Sequence, residues 1–257
     1  MPAAGDIVRA GRTWCEPAGG GAVAAVQLAR LAGECTLYTA LGADEIGVRA
    51  RAGLERLGVR VRDVSREGRP TRRAFTFVDS AGERTITVIG ERLQAQRADA
   101  LPWDELAEMD AVYFTAGDAD ALRAARAARV LVATARVMDE IERAAVQLDA
   151  VVGSGKDPSE RYRAAEPPPR LIVTTAGAGG GTWKGSEGRT GNWAAASVPG
   201  PVGDAYGCGD SFAAGLTYGL AACDGDVQAA LELAARCGAT CLAGHGAYER
   251  QLTKAEL

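Results

Sequence analysis

The sequence predicts an α/β fold with a mostly parallel sheet, on three observations. Short apolar runs of strand length recur along the chain, alanine- and leucine-rich helical stretches with glycine stops lie between them, and one segment departs from this alternation as a hairpin. The runs at 35–42 (CTLYTALG), 110–117 (DAVYFTAG), 129–136 (RVLVATAR), 148–154 (LDAVVGS) and 170–177 (RLIVTTAG) read as buried strands. The stretches at 22–33 (AVAAVQLARLAG) and 45–58 (EIGVRARAGLERLG) read as helices closed by a C′ glycine. The alanine-rich 120–129 is a good helix former, and the proline tract at 165–170 is a rigid connection before a strand.

The exception is 72–90, where Phe75, Phe77, Ile86 and Val88 alternate with threonines around a turn at 80–82. The opening segment, 5–17 (GDIVRAGRTWCEP), has similar strand character. Together they predict a small antiparallel sheet standing off the core as a lid, with an ordinary sheet edge as the alternative. The apolar side of such a hairpin needs cover, which makes a homodimer formed through the lids an expectation. No repeat or linker divides the chain, so 1–257 is read as a single domain.

With 257 residues, a net charge of −4 and a pI near 5.3, the chain lacks the clustered positive charge that a nucleic-acid binder needs. No apolar run reaches the length of a membrane span, and the N-terminus has no signal-peptide pattern, so no membrane partner and a cytoplasmic location are expected. Small molecules are the expected partners. Six cysteines without CxxC spacing, and one histidine, give no soft-metal ligand set and read as reduced thiols. Cys237 and Cys241, four apart on a predicted helix, read as small core residues.

Two glycine-rich stretches carry the candidate chemistry. In 199–222, Gly207 and Gly209 flank Cys208 just before a helix, so backbone amides and the helix start offer an anion cradle. Asp210 follows at once, although a carboxylate repels the ligand such a cradle attracts. It is either a proton acceptor in anion chemistry or the N-cap of the helix. The second stretch, 175–181, is a glycine turn at the carboxyl end of a predicted parallel strand, where ligands collect. It lacks the lysine of a phosphate-binding GxxxxGK[ST] loop, and the chain has no early GxGxxG unit, which disfavours a nucleotide-cofactor oxidoreductase.

Taken in order, these features resemble the ribokinase-like (PfkB) family of sugar and nucleoside kinases over nearly the whole chain. GDIVRAG is similar to the family's lid entry, AGGGAVAAVQLARLAG to its first glycine signature, and TTAGAGGG to its nucleotide loop. GDAYGCGD resembles the second signature, D-T-x-G-A-G-D, the most specific of these matches. The resemblance implies a ribokinase-like three-layer α/β/α core with a small antiparallel β lid. It implies an ATP-dependent phosphotransferase acting on a hydroxyl of a sugar or sugar-like substrate, with ATP and Mg2+ as cofactors. Asp204 would open the motif, the amides of Gly207, Cys208 and Gly209 would form the anion hole, and Asp210 would be the general base, kept ionised by the helix start. Thr175, Gly177 and Gly180 would hold the nucleotide, His245, Gly246 and Ala247 would edge the adenine, and Gly19 and Gly20 would meet the substrate.

The sequence also departs from the family. The strand carrying a sugar-binding aspartate, expected before the lid entry, is not found, and Val23 stands where an asparagine is expected. Ser154 and Gly155 stand in the magnesium region, where only Asp157 keeps an acid. Ala205 and Tyr206 make a monovalent-cation loop doubtful. These departures leave a catalytically impaired binding or regulatory relative open, and a nucleoside kinase of the same family. Arg72, Arg73 and Arg84 on the hairpin leave open a phosphorylated acceptor, beside their reading as solubilising residues.

Overall fold

The computed structural model describes residues 5, 7–79, 84–223 and 225–257, so Asp6 and the turn expected at 80–82 lie outside the described residues. The elements are α1 (Gly20–Ala32), β1 (Thr36–Gly42), α2 (Glu45–Arg56), β2 (Arg60–Arg66), β3 (Arg73–Val78), β4 (Arg84–Ile89), β5 (Ala111–Phe114), α3 (Ala119–Ala125), β6 (Val130–Thr134), α4 (Met138–Ala144), β7 (Ala150–Ser154), β8 (Leu171–Thr175), β9 (Gly181–Gly185), β10 (Thr190–Trp193), α5 (Cys208–Ala222) and α6 (Val227–Leu242). Six strands form the main sheet in the order β10-β9-β8-β7-β6-β5. From β5 to β8 the pairing is parallel, and β9 and β10 continue it antiparallel.

The strand β6 explains the layering. All five of its residues are buried, and period-two alternation sends Val130 and Val132 to one face and Leu131 and Ala133 to the other. The first face packs on Phe212, Leu216, Leu231 and Ala234 of α5 and α6, and the second on Leu122 of α3 and Ile141 of α4. This is the expected α/β/α sandwich. The helix α5 is buried nearly all round rather than amphipathic, because α6 and α1 both lie against it. Its Gly215 and Gly219 admit α6 closely: a methyl group there would stand 2.7 Å from the Cys237 sulfur and 2.8 Å from the Ala230 Cα, respectively.

The strands β1 and β2 pair in parallel as a separate sheet beside the main one. Tyr38 of β1 ties this unit to the region before β5, donating to the Pro102 carbonyl at 2.8 Å and packing edge-on against Trp103. The strand β2, which the sequence reading did not single out, follows α2 and completes a β-α-β unit.

The lid is smaller than the sequence suggests. Residues 7–17 form no strand, and the lid consists of β3 and β4 alone. The opening segment instead lays Glu16 under the 245–248 loop, where its carboxylate accepts the Ala247 amide at 3.0 Å. The register also corrects the expected apolar face. Phe75 pairs with Thr87 and Phe77 with Thr85, whereas Ile86 pairs with Thr76 and Val88 with Ala74. Cross-strand partners share a face, so the phenylalanines lie on one side of the hairpin and Ile86 and Val88 on the other. Arg73 shares the phenylalanine face, and Arg84 shares the opposite one.

Candidate active site

The carboxyl ends of four parallel strands line up along one rim of the sheet: Phe114 of β5, Thr134 of β6, Ser154 of β7 and Thr175 of β8. In open parallel sheets this is where ligands bind. The helix α5 starts over this rim. Its N-cap is Gly207, at φ 82°, which a side chain would adopt only with strain, and a Cβ there would also press on Val23 and Ala247. No side chain caps the helix, so the first-turn amides, including those of Cys208, Gly209 and Asp210, have no intrahelical partner. The N-cap reading of Asp210 is thereby corrected: it is the third residue of the helix.

A second uncapped start faces the first. The helix α1 begins at Gly20 after the N-cap Gly19, again without a capping side chain. A Cβ on Gly20 would collide with Oδ1 of Asp210, so the carboxylate rests on the α1 backbone. On Gly21 a Cβ would lie 2.9 Å from Thr115 Oγ1, just past β5. Gly19, Gly20, Gly207, Cys208, Gly209 and Asp210 therefore come together around one space. Val23 is fully buried beneath it, packed against Gly207 as a core residue.

Asp210 retains some accessible surface but sits deep among protein atoms. Burial pushes its pKa up to about 6, against the opposing pull of the Arg136 and Arg84 charges and with a further upward push from Glu160. Burial thus raises this carboxyl above the ordinary aspartate range and leaves it ionised at neutral pH. Tyr113 of β5 is driven upward as well, by burial first and by the Asp210 charge second, and stays a neutral phenol.

Asp204 holds the motif in place. It is fully buried, and its two oxygens accept the Tyr206 amide at 2.8 Å and the Gly246 amide at 2.7 Å. The amides of Gly246 and Ala247 are thus committed to Asp204 and Glu16, and Ala247 has no accessible surface. His245 is exposed, with its backbone amide on Glu249. Cys208 lies beside Cys241 of α6, and Cys241 directs its thiol to the Tyr206 carbonyl at 3.4 Å. No disulfide joins these cysteines.

The second glycine stretch closes the β8 end of the rim. Gly177 and Gly180 both have positive φ, and a side chain on Gly180 would run into the Trp193 carbonyl. Thr175 lines a cavity of about 480 Å³ with Ala176, Gly179, Thr182, Asn192 and Trp193. Lys156, after β7, reaches over this turn, its Nζ 3.2 Å from where a Gly177 Cβ would be.

Several charged residues at this rim were not singled out from the sequence. Arg136, just past β6, bonds Glu160 Oε1 through Nε at 2.6 Å and Asp157 at 3.4 Å. Asp157 also accepts the Ser159 amide and hydroxyl, and these hydrogen bonds hold its pKa below the ordinary value. Both acids are occupied, and the described residues contain no cluster of three His, Cys, Asp or Glu side chains able to hold a metal. Asp157 is part of an ion-pair network with Arg136.

The raised pKa of Asp210 has a consequence for stability. Below about pH 4 the carboxyl is protonated both folded and unfolded, and contributes no pH dependence. Between about pH 4 and 6 only the unfolded chain gains by ionising, so stability falls through this window and is level above it. Asp210→Asn removes the penalty and should stabilise the protein at pH 8 by on the order of 1–3 kcal/mol, with the gain vanishing toward pH 4. Urea melts of both proteins at pH 4.5 and 8 measure this; equal stabilities at pH 8 contradict the desolvated site.

The pfkB family carbohydrate kinase model matches residues 2–152 and 139–254 of the chain. Among solved structures, a ribokinase from Thermotoga maritima has a TM-score of 0.75 at 19% identity, covering 99% of this chain and 90% of that one. A fructokinase with bound ATP from Xylella fastidiosa gives 0.72 at 20% identity over 93% and 88%, and an adenosine kinase from Sinorhizobium meliloti 0.75 at 19% over 93% and 81%. No curated protein matches the chain significantly. These likenesses establish the fold, and no helix among the described residues is long and apolar enough to cross a membrane. With its two halves both matched by the family model and its fold shared with the kinases, the chain belongs to the pfkB family of carbohydrate kinases.

Proposed function

We propose that the chain transfers the γ-phosphoryl group of ATP to a hydroxyl of a small sugar-like acceptor, with Asp210 as the general base. The observation that carries this reading is the Asp210 carboxylate held against Gly20 between two uncapped helix starts. In the transfer, the acceptor O–H bond breaks and its proton passes to Asp210 as the oxygen forms a bond to phosphorus. The bond from phosphorus to the ADP oxygen breaks with its electron pair leaving on ADP. The open amides of Gly207, Cys208 and Gly209 face the charge that the moving group spreads over its oxygens. A base with a pKa near 6 is ionised at neutral pH yet takes a proton more readily than an exposed aspartate.

The nucleotide takes the β8 end, where Thr175 and the turn with Gly177 and Gly180 allow close backbone approach and Lys156 adds positive charge. The acceptor takes the β5 end, beside Gly19, Gly20 and Asp210. Asp157 and Glu160 are the carboxylates here that would lie nearest a magnesium ion brought with the nucleotide, which would supply charge neutralisation for the phosphates. His245 is the residue of the 245–247 loop with a side chain exposed for adenine.

Asp210→Asn preserves size and shape and removes the proton acceptor. Single-turnover transfer should fall by about a hundredfold or more while ATP affinity stays within about twofold. A variant that phosphorylates acceptors at the parental rate eliminates Asp210 as base. A parent that binds ATP and transfers to no acceptor favours the binding-protein alternative.

The phenylalanine face of the hairpin, with Phe75 59% and Phe77 47% exposed, is the surface we assign to self-association. Light scattering at micromolar concentration should give a dimer that Phe75→Ser with Phe77→Ser converts to monomer; a monomeric parent removes this assignment.

A further inference from the structure

Two thiols that the transfer chemistry does not use meet beside the start of α5. Cys208 is the first residue of that helix and is half-exposed, and Cys241 is buried near the end of α6. Both sulfurs bear on the same short backbone segment: Cys208 Sγ stands 4.0 Å from the Asp204 carbonyl, and Cys241 Sγ 3.4 Å from the Tyr206 carbonyl. The two side chains also hydrogen-bond to each other. The helices come this close because α6 carries a glycine where it passes the start of α5. A Cβ on Gly238 would be 3.3 Å from the Cys208 carbonyl.

The contact sets this pair apart from other buried thiols of the chain. Burial pushes Cys35 up to about 12, and burial, first among its causes, pushes Cys237 up to about 12, so both are inert. Cys241 is instead held below the ordinary thiol value, chiefly by the hydrogen bond from Cys208, while Cys208 is raised by that same bond and then by burial. The pair thus gives up one proton and keeps the other between its sulfurs. When that proton crosses to Cys241, the charge sits on Cys208, the half-exposed member.

A bond between the sulfurs would not leave the site as it is. They would have to come closer than hydrogen-bonded contact, and Cys241 would lose the S–H that it directs to the Tyr206 carbonyl. The turn before Cys208 has little room to absorb the shift, since a Cβ on Gly207 would be 3.0 Å from Val23 and 3.1 Å from Ala247. The displacement falls on the first turn of α5, which carries the Cys208 and Gly209 amides and Asp210.

We propose that Cys208 and Cys241 form a redox site, joined into a disulfide by a hydroperoxide and reopened by a dithiol, and that joining them disables the first turn of α5. Its effect on transfer rests on the kinase reading above. The Cys208 thiolate attacks one oxygen of hydrogen peroxide, the O–O bond breaks, and the hydroxide released takes up the proton the pair had given. The sulfenic acid left on Cys208 is then attacked by the Cys241 sulfur, which expels hydroxide, and this leaves as water with the Cys241 proton. Two thiols and one peroxide become one disulfide and two waters, two electrons passing from sulfur to oxygen. A dithiol reverses the change by returning two hydrogens and becoming a disulfide itself.

The test treats the full chain with hydrogen peroxide and maps its peptides by mass spectrometry without reduction. A cross-linked pair of peptides holding Cys208 and Cys241, lighter by two hydrogens than the free peptides, is expected, and dithiothreitol should remove it. Phosphoryl transfer should fall on the order of a hundredfold in step with the cross-link and return on reduction. Cys241→Ser, which keeps a donor for the Tyr206 carbonyl, should hold its own untreated rate within about twofold through the same treatment, and Cys237→Ala should stay as sensitive as the parent. Hydrogen exchange of the amides at 205–210 reads the same event without activity and should change on cross-linking. If the parent transfers to no acceptor but forms the cross-link with that change in exchange, the redox site stands and the kinase reading fails. Cysteines 208 and 241 left unlinked by peroxide overturn the proposal. So does a fully linked protein with transfer and amide exchange equal to those of the reduced form, or a Cys241→Ser protein inactivated as the parent is, and each of these leaves the kinase standing.

Discussion

Everything at the rim depends on one carboxylate placed where water is scarce. Asp210 leans on the first glycine of α1 and belongs to the first turn of α5, so the two helices can approach only because Gly20 has no side chain and Gly207 can turn at positive φ. Burial makes the charged form costly, whereas Arg136, Arg84 and the open amides of two helix starts favour it. The balance leaves an acid near pH 6, and the surrounding residues are arranged around that balance. Asp204 pins the loop before α5 through two backbone amides, and Glu16 pins the same neighbourhood from the opposite end of the chain.

The sheet divides the labour along its edge. The glycine turn after β8 has Lys156 above it, and the β5 end is lined by α1 and the foot of the lid hairpin. Between them Arg136 is held by Glu160 and Asp157, so it shapes the field at Asp210 without adding an open charge. The lid connects to this edge through the Arg84 contact with Ala205 and Tyr206, in the segment that leads directly into α5.

Much of this was legible in the sequence, and the failures have physical causes. The strands β6 and β7 were readable because they are apolar on both faces, and the motif at 203–210 because its glycines sit in a fixed relation to Asp210. The strand β2 carries Arg60, Arg62 and Arg66 on exposed or half-exposed positions, which hides its strand character behind charge, and β9 and β10 are short and rich in glycine and threonine. The lid's faces followed from register, which depends on where the turn falls, so a shift in pairing moves Ile86 and Val88 away from the phenylalanines. The N-cap ambiguity at Asp210 came from a helix start uncertain by a few residues. Arg136 had no local pattern to mark it among many arginines; only the tertiary fold reveals the acids beside it.

The most direct test of the central claim is the titration of Asp210 itself, by 13C NMR of the side-chain carboxyl in the free protein, assigned with Asp210→Asn. A midpoint near pH 6 is the predicted result. A midpoint near 4, the value of an ordinary exposed aspartate, would contradict a desolvated carboxylate poised between the starts of α1 and α5.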